Sequence, residues 1–403
     1  MTLGQTGMRH PSLAGMVNAI KGPLSREALH NRFTDTAVAF MKRAVDAVLK
    51  QKLSFMPSLE SELLQHFGSI RIFDSTGWDV NAALRKVLPG YGGDASEANC
   101  KVQACYEYLR GELSFFEVQP GTVPDNSYTE NLSGHIQRGE LLLIDLGYFA
   151  LKTFYDIAEA GAFFLSRLLI RTKLFNPETH QRIDLLSVLH KVPGNIHEMQ
   201  VLLGGQEEVQ VRCRLICLRV SEEVANARRR KLIKNAKKKG RIPSELCLKL
   251  ADWTLMVTNV PVEWLPANMA RHLYCLRWQI ELVFKQLKSV LCIHNCKTGK
   301  INRLLCEVYG KMLMAIIVHR IHTGRNITLW NNERREVSMD KLYKRLQERA
   351  FIILELLLKS PDSAIQYLET ELESLLKNCL KNKQRSRRTT LEILELGPLG
   401  EAM

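Results

Sequence analysis

Three acids and three companions could do chemistry in this chain of 403 residues. Asp74 ends the short apolar run SIRIFD, and Asp145 ends LLLID. A carboxylate at the end of a buried strand is costly unless it is paired or binds a cation. Two such anions side by side repel, and a divalent cation relieves the repulsion. Glu281 is the third candidate. It lies in YCLRWQIELVFKQLKSV, residues 274–290, with Tyr274, Arg277 and Lys288. Spacings of 3, 4 and 7 set these four on one stripe of a helix. Beside the stripe runs an apolar face of Leu276, Ile280, Phe284 and Leu287. Three carboxylates can hold two metals ~3.5–4 Å apart, which activate an attacking oxygen and stabilise a leaving one in phosphodiester chemistry. Plainer readings compete. An aspartate after a strand is often a turn or cap residue, and a charged stripe is often a surface row of ion pairs. Asp79 reads as such a turn residue, and Asp156 and Glu159 as a solvated helix face.

The elements that must position these groups follow from periodicity. Residues 1 to about 66 read as helical. LSREALHNRF followed by a second helix fits either a DNA-holding helix-turn-helix or a packing domain with a basic face. From residue 69 the period changes. SIRIFDST is a strand, and KVQACYEYL and LSFFEV alternate as strands joined at Arg110-Gly111. VPDNSYTENLSGHIQRGE is a loop leading into a short helix. LLLIDLGYF, a helix LKTFYDIAEAG and a strand FFLSRLLI follow. Three antiparallel strands, then parallel strands alternating with helices, describe the ribonuclease-H-like fold. Next comes a β-rich insertion, with strands expected at RIDLLSVL, VQVRCRLICLRV and DWTLMVTNVP over residues 182–261. Within it NARRRKLIKNAKKKGR carries nine basic residues and no acid, which reads as a solvated lysine-rich loop. A closing helix is expected from near Pro266, and residues 300–380 are helical again, with a loosely ordered basic tail KNKQRSRRTT.

The net charge of +14 favours a polyanionic partner, nucleic acid before an anionic membrane. KMLMAIIVHRI is too short to span a bilayer and is cut by charge, so no membrane role and a cytoplasmic location are expected. Ten scattered cysteines include Cys213/Cys217 and Cys292/Cys296 but no zinc-like pairing, so buried free thiols are expected.

At this point the sequence resembles the insertion-sequence-four family of bacterial DDE transposases. Tyr274, Arg277, Glu281 and Lys288 match that family's signature of tyrosine, two residues, arginine, three residues, glutamate, six residues, lysine. FDSTGW resembles its first-aspartate region and IDLGYF its second. The resemblance spans roughly residues 20–330 and implies a metal-binding catalytic triad of Asp74, Asp145 and Glu281, served by two Mg2+ (or Mn2+) ions. It implies cutting of element ends with water, then joining of the 3′ hydroxyls to target DNA, in some members through a hairpin. Tyr274, Arg277 and Lys288 would hold DNA phosphates. Trp253, 21 residues before Tyr274, would stack on a flipped base, although a core aromatic is nearly as good a reading. Arg228, Arg229, Arg230, Lys237, Lys238 and Lys239 would touch phosphates sequence-independently. The implied partners are the terminal inverted repeats and target DNA, with a homodimer in the DNA complex.

The domain division expected is a helical DNA-binding region at 1–66, a ribonuclease-H-like core at 67–175 and 262–325, the insertion at 176–261, and a helical region at 326–403 with a possible dimer contact. Two other readings stay open: a nuclease of the same fold without strand transfer, and a domesticated or inactive transposase that only binds DNA.

Overall fold

The computed structural model describes residues 12–20, 23–51, 63–128, 136–205, 209–382 and 391–392. Helices α1 (Leu13–Ile20), α2 (Arg26–Asn31) and α3 (Asp35–Lys50) come first. Ser25 and Thr34 cap α2 and α3 by accepting the N–H groups of Ala28 and Ala37, as helix N-caps do. Then come β1 (Ser69–Asp79), β2 (Asn99–Glu107), β3 (Glu112–Pro120), β4 (Glu140–Ile144), α4 (Leu151–Glu159), β5 (Phe163–Arg167) and β6 (Leu174–Phe175). The insertion holds α5 (Leu185–His190), β7 (Ile196–Leu203), β8 (Val211–Arg219), α6 (Glu222–Lys238), α7 (Glu245–Lys249) and β9 (Trp253–Thr258). The chain continues through α8 (Ala267–Cys275), α9 (Trp278–Ser289), α10 (Ile301–Glu333), α11 (Met339–Lys359) and α12 (Pro361–Asn378).

The protein is thus mixed α/β, and it divides into two compact units. The first takes Met1–Leu59, Asp74–Val123 and Gln279–Arg385, and the second takes Glu60–Phe73, Pro124–Trp278 and Ser386–Met403.

In the first unit β2 and β3 form an antiparallel hairpin, closed by the four residues Tyr108 to Gly111 rather than by Arg110-Gly111 alone. Gly111 has φ +59° and accepts the Thr323 hydroxyl on its carbonyl at 2.8 Å. A Cβ at position 111 would collide with the Thr323 side chain, so glycine is needed for space as well as for backbone angle. α10 packs along α3 and β3. A buried pair pins that contact: Arg320 Nε lies 3.0 Å from Glu112 Oε2, and Arg320 also donates to the Gln51 carbonyl at 2.9 Å. On α10, His319 is buried and His322 half-buried, and both are uncharged. Desolvation pushes their pKa down to about 3 and about 4, helped in His319 by the neighbouring His322.

In the second unit the start of β1 pairs with β4 in parallel, and β4 pairs with β5 in parallel. β5, β9, β8, β7 and β6 continue antiparallel. β4 is buried at every residue, as its unbroken ELLLI run dictates. Phe154 of α4 stacks on Phe164 of β5 with centroids 4.5 Å apart, which fixes the helix over the sheet.

Several local expectations need correction. RIDLLSVL is not a strand: Asp184 caps a helix from Leu185 by accepting the N–H groups of Leu186 and Ser187. The strand lies instead at Ile196–Leu203. The basic run is not a loop but belongs to α6, with Ser221 as cap, Glu222 and Glu223 in the first turn and Lys237 and Lys238 in the last. That charge order suits the helix dipole. Asp79 is the last residue of β1 rather than a turn, and it accepts from Asn99 at 2.9 Å. The closing helix is two helices, with Leu276 and Arg277 between them. The short helix expected after VPDNSY and most of the tail KNKQRSRRTT lie outside the described residues. The cysteines described are free, most of them buried. Among the described residues no helix is long and apolar enough to cross a membrane.

Candidate active site

Asp145 follows the last residue of β4 and caps the short 3-10 turn Leu146–Tyr148, where its Oδ2 accepts the Gly147 N–H at 3.4 Å. The cap reading of this aspartate therefore holds, and it does not exhaust the residue. Its other oxygen, Oδ1, is the meeting point of three side chains of the second unit. Arg277 Nε lies 3.5 Å away, an Arg167 nitrogen 3.7 Å away, and the Tyr274 hydroxyl 3.5 Å away. Tyr274 also donates to the Ile144 carbonyl at 3.3 Å. Burial first, and then the nearby Asp145 charge, push the Tyr274 pKa up, so the phenol remains a donor. Position explains the convergence. α8 carries Tyr274 near its end, and the break that follows carries Arg277.

Asp125 also comes near. Its turn, Asp125–Tyr128, packs on the turn Leu146–Tyr148. A Cβ built on Gly147 would lie 3.7 Å from Asp125 Oδ2 and 3.9 Å from Asp145 Oδ2. Neither Asp125 nor Arg167 was found by sequence reasoning. Arg167 ends a strand whose pattern, FFLSR, flags only burial, and Asp125 sits in a stretch read as loop.

In the first unit, Asp74 lies within β1 rather than at its end, half-buried, and accepts the Ser75 N–H at 2.8 Å. Glu281 stands in the first turn of α9, half-buried beside Ile280. Lys288, in the last turn of α9, donates to the Gly77 carbonyl at 3.0 Å. Burial pushes its pKa down.

The remaining predicted residues divide. Trp253 opens β9 and is only 7% exposed. The Arg219 guanidinium covers its ring at 4.5 Å. Arg228 donates to the Trp253 carbonyl at 3.0 Å and to the Thr254 hydroxyl at 2.9 Å. Arg229 bridges to Asp252 and to Asn226. These two arginines bolt α6 to the start of β9 and to Asp252 just before it. Arg230, Lys237 and Lys238 are exposed on α6, and Lys239 is exposed at its C-cap. Trp278, which was not singled out, is 56% exposed next to Arg277.

A separate cavity of about 350 Å³ opens beside β7, β8 and the residues after β9, lined by Glu198, Gln200, Arg214, Asn259 and Glu263 among others. None of the predicted site residues lines it. Among the described residues no three His, Cys, Asp or Glu side chains gather into a group able to hold a metal. The donors on offer at the predicted positions are carboxylate oxygens, the kind a hard divalent cation takes.

The second unit thus sets an aspartate at the end of a buried strand, with Arg277, Arg167 and Tyr274 around it. Comparison with known proteins gives the family. The family model described as "Transposase DDE domain" matches residues 65–317, and the chain belongs to that family: it is a DDE transposase. It is 30% identical over 400 residues to the transposase for insertion sequence element IS231F of Bacillus thuringiensis subsp. israelensis, spanning 95% of this chain and 83% of that one. It is 28% identical over 399 residues to the transposase for IS231E of Bacillus thuringiensis subsp. finitimus, again spanning 95% and 83%. The transposase for IS1151 of Clostridium perfringens is 27% identical over 93% of this chain and 82% of its own length. Among solved structures, a piggyBac transposase synaptic complex with hairpin DNA gives a TM-score of 0.46 at 10% identity, covering 96% of this chain and 76% of that one. The resemblance to the insertion-sequence-four group is consistent with these relatives.

Proposed function

We propose that this transposase cuts the ends of an insertion sequence with water as nucleophile and joins the freed 3′ hydroxyls to target DNA. Asp74, Asp145 and Glu281 are the proposed catalytic and metal-binding residues. The observation that carries the reading is the convergence of Tyr274 and Arg277 on Asp145, because two residues of the signature meet the second aspartate.

An all-oxygen donor set suits two Mg2+ or Mn2+ ions, which when bound activate the attacking oxygen and steady the leaving one. The chain's own residues do the rest. Arg277 offers a planar fork of donors to a phosphate, and Lys288 a mobile point charge. Tyr274 fixes the Asp145 carboxylate through its hydroxyl. Exposed cations of α6 and its C-cap, from Arg230 to Lys239, track the backbone of duplex DNA. On exposure, Trp278 is a better base-stacking platform than Trp253, which must first shed Arg219. The proposed core is ribonuclease-H-like, the N-terminal helices up to residue 66 hold DNA, and a homodimer pairs the two ends.

The test is an assay with Mg2+, a labelled duplex carrying the terminal inverted repeat, and a target plasmid. Cutting followed by joining is expected. Cutting without joining would replace this reading with a nuclease, and binding alone with an inactive DNA-binding descendant.

A further inference from the structure

Two guanidinium groups share one oxygen of Asp145: Arg277 Nε at 3.5 Å and Arg167 at 3.7 Å. Arg271 and Arg167 also repel the partly buried Arg228, whose pKa burial has already pushed down. Phosphate is the anion that the arginine fork fits best. A divalent cation arriving alone would meet arginine charge at the very oxygen it needs. The same oxygen is released once phosphates have drawn the arginines away.

We propose that Arg167 and Arg277 are counter-ions, held on Asp145 in the free enzyme, that transfer to the DNA backbone as Asp145 takes up a divalent cation. DNA and metal then bind with positive coupling, and the coupling is reciprocal. Arg167 becomes a phosphate-binding residue, although nothing in the motif marks it. Its side chain is 49% exposed, so it can turn from the carboxylate to a ligand without unpacking β5. The inference rests on Asp145 being a metal ligand.

The experiment is fluorescence anisotropy of the full-length protein with a fluorescein-labelled terminal-repeat duplex, in EDTA and in Ca2+. The wild type should bind more tightly in Ca2+. Arg167→Gln should lose about fivefold or more in Ca2+ and far less in EDTA, where the arginine is engaged by Asp145. Asp145→Asn keeps the shape and removes the charge, so it should tighten binding in EDTA. That gain should vanish in the Asp145→Asn/Arg167→Gln double variant. Equal weakening of Arg167→Gln in both buffers, or EDTA binding unchanged by Asp145→Asn, would overturn the proposal. Cleavage in Mg2+ separates the two levels. Cutting that survives Asp145→Ala defeats the triad reading itself, whereas cutting that is lost while the affinities stay uncoupled defeats only the counter-ion transfer.

Discussion

The Tyr274 hydroxyl reaches Oδ1 of Asp145 at 3.5 Å, joining residues 129 apart in sequence. The phenol orients a carboxylate that two arginines also pull. Tyr274→Phe keeps the ring in place and deletes the donor. Hydrogen bonds to charged groups contribute about 1.5–3 kcal/mol at good geometry, and this one is long, so a roughly tenfold loss in single-turnover cleavage is expected. Thermal unfolding should be nearly unchanged. A variant that cuts at the wild-type rate would remove Tyr274 from the site.

Lys288 donates to the Gly77 carbonyl at 3.0 Å in the free protein. That bond uses one of the three ammonium protons, which leaves donors for a phosphate. Lys288→Ala should weaken duplex binding at every sequence and flatten the plot of log affinity against log salt by about one unit of slope. An unaltered slope would mean that the amino group is only a structural latch on β1.

Helix α6 separates structural cations from free ones. Arg228 satisfies the Trp253 carbonyl and the Thr254 hydroxyl. Arg228→Ala should therefore lower stability, by about 1–3 kcal/mol for the stranded polar groups. Arg230→Ala and Lys238→Ala, at exposed positions, should leave the melting temperature alone and reduce the salt slope. Calorimetry and binding isotherms on the same three variants check both halves. A lower melting temperature for Lys238→Ala would contradict the division.

Acid should loosen the first unit through α10. His319 and His322 have folded pKa values lowered to about 3 and about 4. In the unfolded chain an imidazole titrates near ~6.5. As pH falls below that value the unfolded state binds protons that the folded state refuses, so stability is full above it and is lost progressively down to the folded values. At pH 5 the loss is roughly 2 kcal/mol for each histidine. His319 has neither ring nitrogen partnered and lies between Tyr106 and Tyr343. His319→Phe should flatten the fall in urea midpoint between pH 7 and pH 5. An equally steep fall in that variant would place the acid sensitivity elsewhere.

The sequence shows the local parts of the site because they are local. Asp145 follows a fully apolar run, and the signature residues sit within 15 positions of one another. Gly111 marks its hairpin because the turn needs a positive backbone angle there, while the loop's first two residues read as strand. Non-local parts leave no such trace. Arg167 meets Asp145 only because β4 and β5 pair. The break at Leu276-Arg277 carries neither proline nor glycine, so a continuous period hides it. The α6 misreading has a different source. Its charge suggested a solvated loop, yet arginine, lysine, alanine and leucine are good helix formers, and Ser221 with two glutamates is a start signal that was there to be read.

The fit of Thr323 against Gly111 bears on how copies of such an element diverge. A side chain at position 111 demands a smaller partner at 323 and a backbone angle that side chains resist, so neither position can drift alone. Across a population of descendants, the glycine would read as invariant as any acid of the triad. Its constancy would record the clearance between a hairpin and a helix, and a survey of invariant positions would need that distinction before assigning them to catalysis.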